Sequence, residues 1–456
     1  MRKQELLWGE VVWHLYSLVA FRACGLFTLD HALHQTMHHP PASWYPSAQV
    51  FPMPTNRRLF CSQAATLLLT PRLLLSQTTS PSSKSTARPD VATIDHDRIL
   101  HGADDYLKQP PVPLTDLSSP RSPGTPHDFF SEAENYWPDS ADPTNPYIPR
   151  VGQPNPDAFT AHRDALLNLG LYVPALTAAF VLTKDDRYAK HAAAHLRAWF
   201  IDPATSMTPS LLYAQVIRPA KTGRPEGVVE AVHLAEVAQS LPFLSTSEAL
   251  SDTDLATIQK WFADYFEWLT TSRLAGLARD TRDHNGSSWL LQAAACAHLN
   301  TKDDRPLTAL RHQFRSATLR AQISGEGTFP RELTTPTPYR LSLFNLDMLA
   351  TVCDLLSTRF ESVWEYELQD GPSMRVAIAR HFPFILHRGA WPYKADATLF
   401  SALPLRQPSL LLAARAYNRP EYADLWRTLP PDPTIPELQR TFPIRQPLLW
   451  VTRPHP

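Results

Sequence analysis

One pentapeptide occurs twice in this chain, each time between two apolar runs. Thr183-Lys184-Asp185-Asp186-Arg187 closes one run of residues spaced by three and four and opens the next, and Thr301-Lys302-Asp303-Asp304-Arg305 does the same further on. At such a junction the first aspartate can accept from the free backbone N–H groups of the new helix, and the second complements the helix dipole. Tyr417-Asn418-Arg419-Pro420-Glu421-Tyr422 has the same character, with proline placed for a first helical turn. These are the marks of tight αα-hairpins. Hairpins repeated in series stack into a solenoid or close into an α/α toroid, and periodicity leaves both open.

The runs between the junctions predict helix almost throughout from about Asp157. Leu166, Leu169, Val173, Leu176 and Phe180 form one stripe, Tyr188, Ala192, His195, Leu196 and Trp199 a second, and Leu255, Ile258, Phe262, Phe266 and Leu269 a third. Further helices are expected over 288–299, 307–323, 341–356, 374–386, 409–417 and 421–429, and no alternation calls for a large sheet. The 456 residues are 43% hydrophobic and 19% charged, enough to bury a core. Only 14 glycines argue against a phosphate-cradling loop, while 44 prolines suit helices separated by stiff connections. A net charge of −1 argues against nucleic acid as a partner. Cys24, Cys61, Cys296 and Cys353 offer neither a zinc spacing nor a disulfide framework, and the last two sit on apolar helical faces as small core residues.

Residues 53–78 read as an export signal. Asn56-Arg57-Arg58-Leu59-Phe60 is a twin-arginine-like start, and an apolar stretch from Ala64 to Leu75 follows, interrupted by Pro71 and Arg72. Ser76 to Pro89 is a Ser/Thr/Pro linker. Met53 stands four residues before the arginines, so residues 1–52 read as a mis-called extension, 79–144 as linker and N-terminal segment, and 145–456 as the helical domain. A periplasmic or secreted protein with no membrane span in its mature part is the expectation. The run from Leu6 to Phe27 is broken by Glu10, His14 and Arg22 and makes a poor span.

Chemistry is concentrated between Arg282 and Asp347. His284 and Asn285 precede a helix beginning near Ser287. Asn285 can serve as its N-cap with Gly286 easing the entry, or the pair can present an imidazole and an amide to an anion at a helix N-terminus. Trp289 is either core or a sugar platform. Arg331 and Glu332 form a loop salt bridge or supply a charge to a site. Tyr339 follows Pro336 and Pro338, which stiffen the loop that carries it. Asn345 and Asp347 read as structural. Upstream, the irregular polar stretch from Met207 to Val229 holds Tyr213, Gln215, Arg218, Lys221, Arg224 and Glu226 and could line a groove for an acidic polymer. No GxSxG, HExxH, Walker or Rossmann pattern occurs, and no carboxylate pair stands out as a glycosidase dyad.

Taken in order, Arg150-Val151-Gly152-Gln153, Tyr188-Ala189-Lys190 with Leu196 to Phe200, Tyr213-Ala214-Gln215, Gly223-Arg224-Pro225-Glu226-Gly227, Ser342 to Asp347 and Ile444 to Trp450 resemble the alginate lyase superfamily of polysaccharide lyases. The resemblance runs from about Asn145 to Trp450. It implies an all-α, incomplete α/α toroid of stacked helical hairpins and β-elimination on an anionic uronic-acid polysaccharide of the alginate or glucuronan type, without metal or other cofactor. A non-catalytic carbohydrate-binding relative and a glycoside hydrolase on the same toroid are the competing readings. By resemblance Tyr339 is the base, the acid or both, His284 the carboxylate neutraliser or second base, Asn285 a carboxylate hydrogen-bond donor and Arg331 a charge stabiliser. Tyr213, Gln215, Arg224 and Trp289 are carried over as groove residues. The family pattern Asn-Asn-His-Gly corresponds here to Asp283-His284-Asn285-Gly286, with the histidine one place early. Leu341 stands where many relatives have tyrosine, so either Tyr339 carries the tyrosine role or activity is lost.

Overall fold

The computed structural model describes residues 85–142, 144–150, 152–280, 286–297 and 304–452. Residues 53–78, which read as an export signal, together with Cys24, Cys61, His284 and Asn285, lie outside the described residues. The longer helices are α1 (His96–Tyr106), α2 (Ala161–Thr183), α3 (Asp186–Phe200), α4 (Leu234–Leu244), α5 (Asp252–Thr271), α6 (Arg273–Asp280), α7 (Gly286–Ala297), α8 (Arg305–Gln313), α9 (Pro338–Leu356), α10 (Met374–Leu386), α11 (Pro408–Tyr417) and α12 (Pro420–Thr428).

These helices form an incomplete α/α toroid. Helices α2, α4, α7, α9 and α11 make the inner row, each packed on the next. Their composition explains the position. Every residue of α7 from Gly286 to Cys296 is buried, and α9 is buried without a break from Ser342 to Cys353. A helix that is apolar all round has nowhere to go but between other helices. The outer helices are two-faced. α3 buries Tyr188, Ala189, Ala192, Ala193, Leu196, Trp199 and Phe200 against α2 while Arg187 and Lys190 face solvent. Each fully buried leucine or phenylalanine stabilises the fold by roughly 1.5–3 kcal/mol.

The repeated junction does what its residues suggest at its first occurrence. Lys184 ends α2 in the left-handed conformation, and the Asp185 side chain accepts from Arg187 N at 2.9 Å to start α3. Asn418 ends α11 left-handed, and Pro420 opens α12. Most of the second pentapeptide lies outside the described residues; its Asp304 precedes α8 but makes no side-chain cap bond.

The packed unit starts upstream of the expected boundary at 145. Residues 91–142 are not a linker: α1 packs along α2, and Ile99, Ala103, Leu114 and Phe129 join the same core. At the other end Pro447–Val451 packs on α2 and α4. The fully buried Glu236 of α4 holds that end in place by accepting from Arg445 N (3.0 Å), Gln446 N (2.8 Å) and Trp450 Nε1 (3.0 Å). Four short strands complete the described part. β1 (Phe130–Glu132) pairs in parallel with β4 (Tyr213–Val216), with an irregular register, and β2 (Tyr136–Trp137) pairs antiparallel with β3 (Ile148–Pro149).

Candidate active site

The β1–β4 pair carries an unusual backbone conformation. Gln215 has φ +53 inside a strand. Lys184 and Asn418 share this conformation, but at helix ends, where it is ordinary. In a strand, a non-glycine residue held there stores about 1–3 kcal/mol of strain, and something must hold it. Here Ser131 does so. Its hydroxyl accepts from Gln215 N at 2.8 Å and donates to Glu230 Oε2 at 2.6 Å. The Gln215 side chain and Arg163 stand beside the Glu230 carboxylate. Burial pushes the Glu230 carboxyl above its ordinary value, while Arg163, Ser131 and Gln215 pull it back. Arg163 is itself held by Glu134 at 2.9 Å, and Glu134 takes a second guanidinium from Arg440, also at 2.9 Å.

Arg224 joins this cluster through its backbone, with its N–H on Ala214 O at 3.0 Å. Its guanidinium lies 5.4 Å from the Tyr136 ring centroid and pairs with Glu226 at 2.8 Å. The loop can lie this close to β4 because of Gly223 and Gly227, where an added Cβ would stand 2.2 and 2.6 Å from the carbonyl oxygen of Ala214. The 3-10 helix Pro225–Ala231, which ends the loop, packs on both α6 and α7. Those are the two helices that flank His284 and Asn285 in sequence. Gly286, the next residue along, donates its N–H to Asn345 Oδ1 at 3.1 Å, and Asn345 Nδ2 donates to Gln322 Oε1 at 3.0 Å. Asn345 is buried and fixes where α7 begins. Asp347, on the same helix, accepts from Ser409 N at 3.1 Å, and burial pushes its carboxyl up to about 7. Both are structural, as their place in an apolar helix suggests.

The structure brings Tyr213, Gln215 and Arg224 together around β4 and does not bring the other described candidates to them. Tyr339 is a core residue and not a base or acid. It is 0% exposed, its hydroxyl donates to Phe384 O at 2.9 Å, and its ring meets Trp391 and Phe400 edge-on at 5.1 and 5.3 Å. Burial raises its phenol far from any working range. Pro338 starts α9 instead of stiffening a site loop, and Asp396 caps that start by accepting from Tyr339 N (2.7 Å) and Arg340 N (2.9 Å). Trp289 likewise is core, 4% exposed, and offers no face to a sugar. Arg331 is exposed, and its carbonyl accepts from Thr334. His284 and Asn285 lie outside the described residues. Ser131, Glu230, Arg163 and Tyr136 escaped notice in the sequence because each acquires its role from a partner far along the chain.

Tyr339→Phe is therefore expected to leave turnover close to that of the parent. It should lower stability by roughly 1–3 kcal/mol, because the Phe384 carbonyl loses its buried donor. Urea denaturation beside a rate measurement checks both. A rate loss of 100-fold with unchanged stability would return the phenol to the chemistry.

Chemically, the β4 cluster offers a cation, a carboxamide, two partly exposed phenols (Tyr136 and Tyr213) and a half-buried carboxyl. It suits a polar, anionic ligand. Among the described residues no group of three or more His, Cys, Asp or Glu side chains is placed to hold a metal ion.

Residues 114–391 match the model of the family described as alginate lyase. Among solved structures, the chain is similar to an alginate lyase from Bacteroides ovatus, with 24% identity and a TM-score of 0.68 over 80% of this chain and 94% of that one. It also matches alginate lyase A1-III from Sphingomonas species A1 at 13% identity and a TM-score of 0.45, over 76% of this chain and 93% of that one. At these identities the likeness to the first is one of fold. No curated protein matches the sequence.

Proposed function

Because the chain belongs to the alginate lyase family and is a polysaccharide lyase, we propose that its substrate is a uronic-acid polysaccharide, cleaved by β-elimination beside β4. The supporting observation is the strained Gln215, locked by Ser131 and Glu230 next to Arg224 and Tyr136, inside the segment that matches the family.

The C5 proton of a uronate is weakly acidic while its carboxylate keeps its full charge. Hydrogen bonds and positive charge on that carboxylate stabilise the enolate that forms as the proton leaves. Arg224 and Gln215 supply a guanidinium and an amide, and Asn285 adds a second amide. His284 takes the C5 proton. The C5–H electron pair becomes the C4–C5 double bond, the C4–O4 bond breaks, and O4 leaves with a proton. With Tyr339 in the core, O4 takes its proton from a partly exposed phenol, that of Tyr136, whose ring lies 5.4 Å from the Arg224 guanidinium, or that of Tyr213 on β4.

Polymers of mannuronate, guluronate and glucuronate incubated with the protein test this reading. At least one is expected to give new chain ends absorbing in the near ultraviolet, the mark of the unsaturated uronide. New reducing ends without absorbance would mean hydrolysis, and binding without new ends would mean a non-catalytic relative; either result rejects the proposal.

A further inference from the structure

A second site lies on the other face of the β1–β4 pair. Successive side chains of a strand point to opposite faces. Ser131 reaches Glu230 on one side, while its neighbours Phe130 and Glu132 line a cavity of about 670 Å³ on the other, together with Val216 of β4. That volume lies within the range of small-ligand pockets, about 300–1,000 Å³.

The charge in this cavity is out of balance. Glu132 is only 4% exposed, and a buried carboxylate is costly unless paired. Arg121 and Arg218 pair it at 2.7 and 2.9 Å, and Phe159 N donates to it at 2.8 Å. One carboxylate against two guanidiniums leaves one positive charge over. Lys221, exposed at the rim and in no ion pair among the described residues, adds another. Glu132 is the only carboxylate among the lining residues. The walls are held in place: the Arg218 guanidinium lies 4.7 Å from the Tyr147 ring centroid, and Tyr147 N donates to Arg218 O at 3.0 Å. Asn145 lines the wall, its amide nitrogen donating to Asp139 Oδ2 at 3.0 Å. A rigid, hydrogen-bonding cavity with two surplus cations suits a ligand that carries both hydroxyls and a carboxylate.

We propose that this cavity binds a uronate unit of the polymer at a holding site separate from the β4 cluster, with Lys221 and the Arg218 edge meeting its carboxylate. The proposal rests on the uronate reading given above. A holding site of this kind adds affinity for the polymer and leaves the chemical step alone.

Lys221→Glu tests it, because Lys221 supports no other part of the structure. Calorimetric titration with a saturated diglucuronate is expected to show at least tenfold weaker binding in this variant than in the parent, at an unchanged melting temperature. On polymer, KM should rise with kcat within about twofold. Lys190→Glu, an equal charge change on the outer helix α3, should alter neither. Equal effects from the two variants would mean general electrostatic attraction and no site. Parental diglucuronate affinity in Lys221→Glu overturns the proposal even if the parent yields unsaturated ends. Conversely, Lys221-dependent binding without unsaturated ends would keep the site and reject the lyase chemistry.

Discussion

Substituting His284 by alanine is expected to lower polyuronate turnover by at least about 100-fold, the usual size of a lost acid–base group. The melting temperature should change little. The expectation draws on the family resemblance at this position and on the two helices that flank it in sequence. Asn345 fixes the first residue of α7, two places after the histidine. The segment Pro225–Ala231, which carries Glu230, packs on the helices at both sides of it. If the loss is in kcat at unchanged KM, the imidazole acts in the transition state and not in binding. Near-parental turnover in His284→Ala would remove the imidazole from the mechanism and leave the partly exposed phenols as the groups to test.

The second large effect concerns the closure of the toroid. Glu236→Ala should cost at least about 3 kcal/mol, because it orphans three buried donors at once, each worth roughly 1–3 kcal/mol. Those donors are Arg445 N, Gln446 N and Trp450 Nε1. Guanidinium denaturation measures the loss, and a variant as stable as the parent would show that the C-terminal segment is held by its apolar contacts alone. The same carboxyl gives stability a pH dependence. Burial pushes it from the ordinary 4.5 up to about 7, with the three donors and Arg445 pulling it back. The folded state therefore holds the proton more tightly than the unfolded chain does. This contribution is fully present below pH 4.5 and is lost as pH rises to about 7, so its slope is negative across that window. In Glu236→Gln the slope should flatten. Parallel pH profiles for variant and parent would show that the carboxyl does not titrate there.

Much of the architecture was legible in the chain itself. The stripes from Leu166 to Phe180 and from Leu255 to Leu269 fall within α2 and α5, and the Asp185 cap stands where its type and position demand. Helix spacing and caps are local properties, written in neighbours three and four residues apart. The site was legible only in part. Tyr213 and Gln215 lie on β4, and Arg224 reaches that strand through its backbone N–H on Ala214 O. Tyr339 and Trp289 do not join them. A tyrosine after two prolines looks the same whether the prolines stiffen a loop or open a helix, and Trp391, Phe400 and Phe384, which enclose it, lie far along the chain.

The amino-acid order by itself settled that this chain would form paired helices with short, capped turns, because those preferences act within a single turn. Folding in three dimensions decided which polar groups are exposed to a ligand and which are enclosed. Ser131, Gln215 and Glu230 become one unit only when β1 lies beside β4, and burial, which no residue carries on its own, then sets whether a carboxyl or a phenol can take part in chemistry.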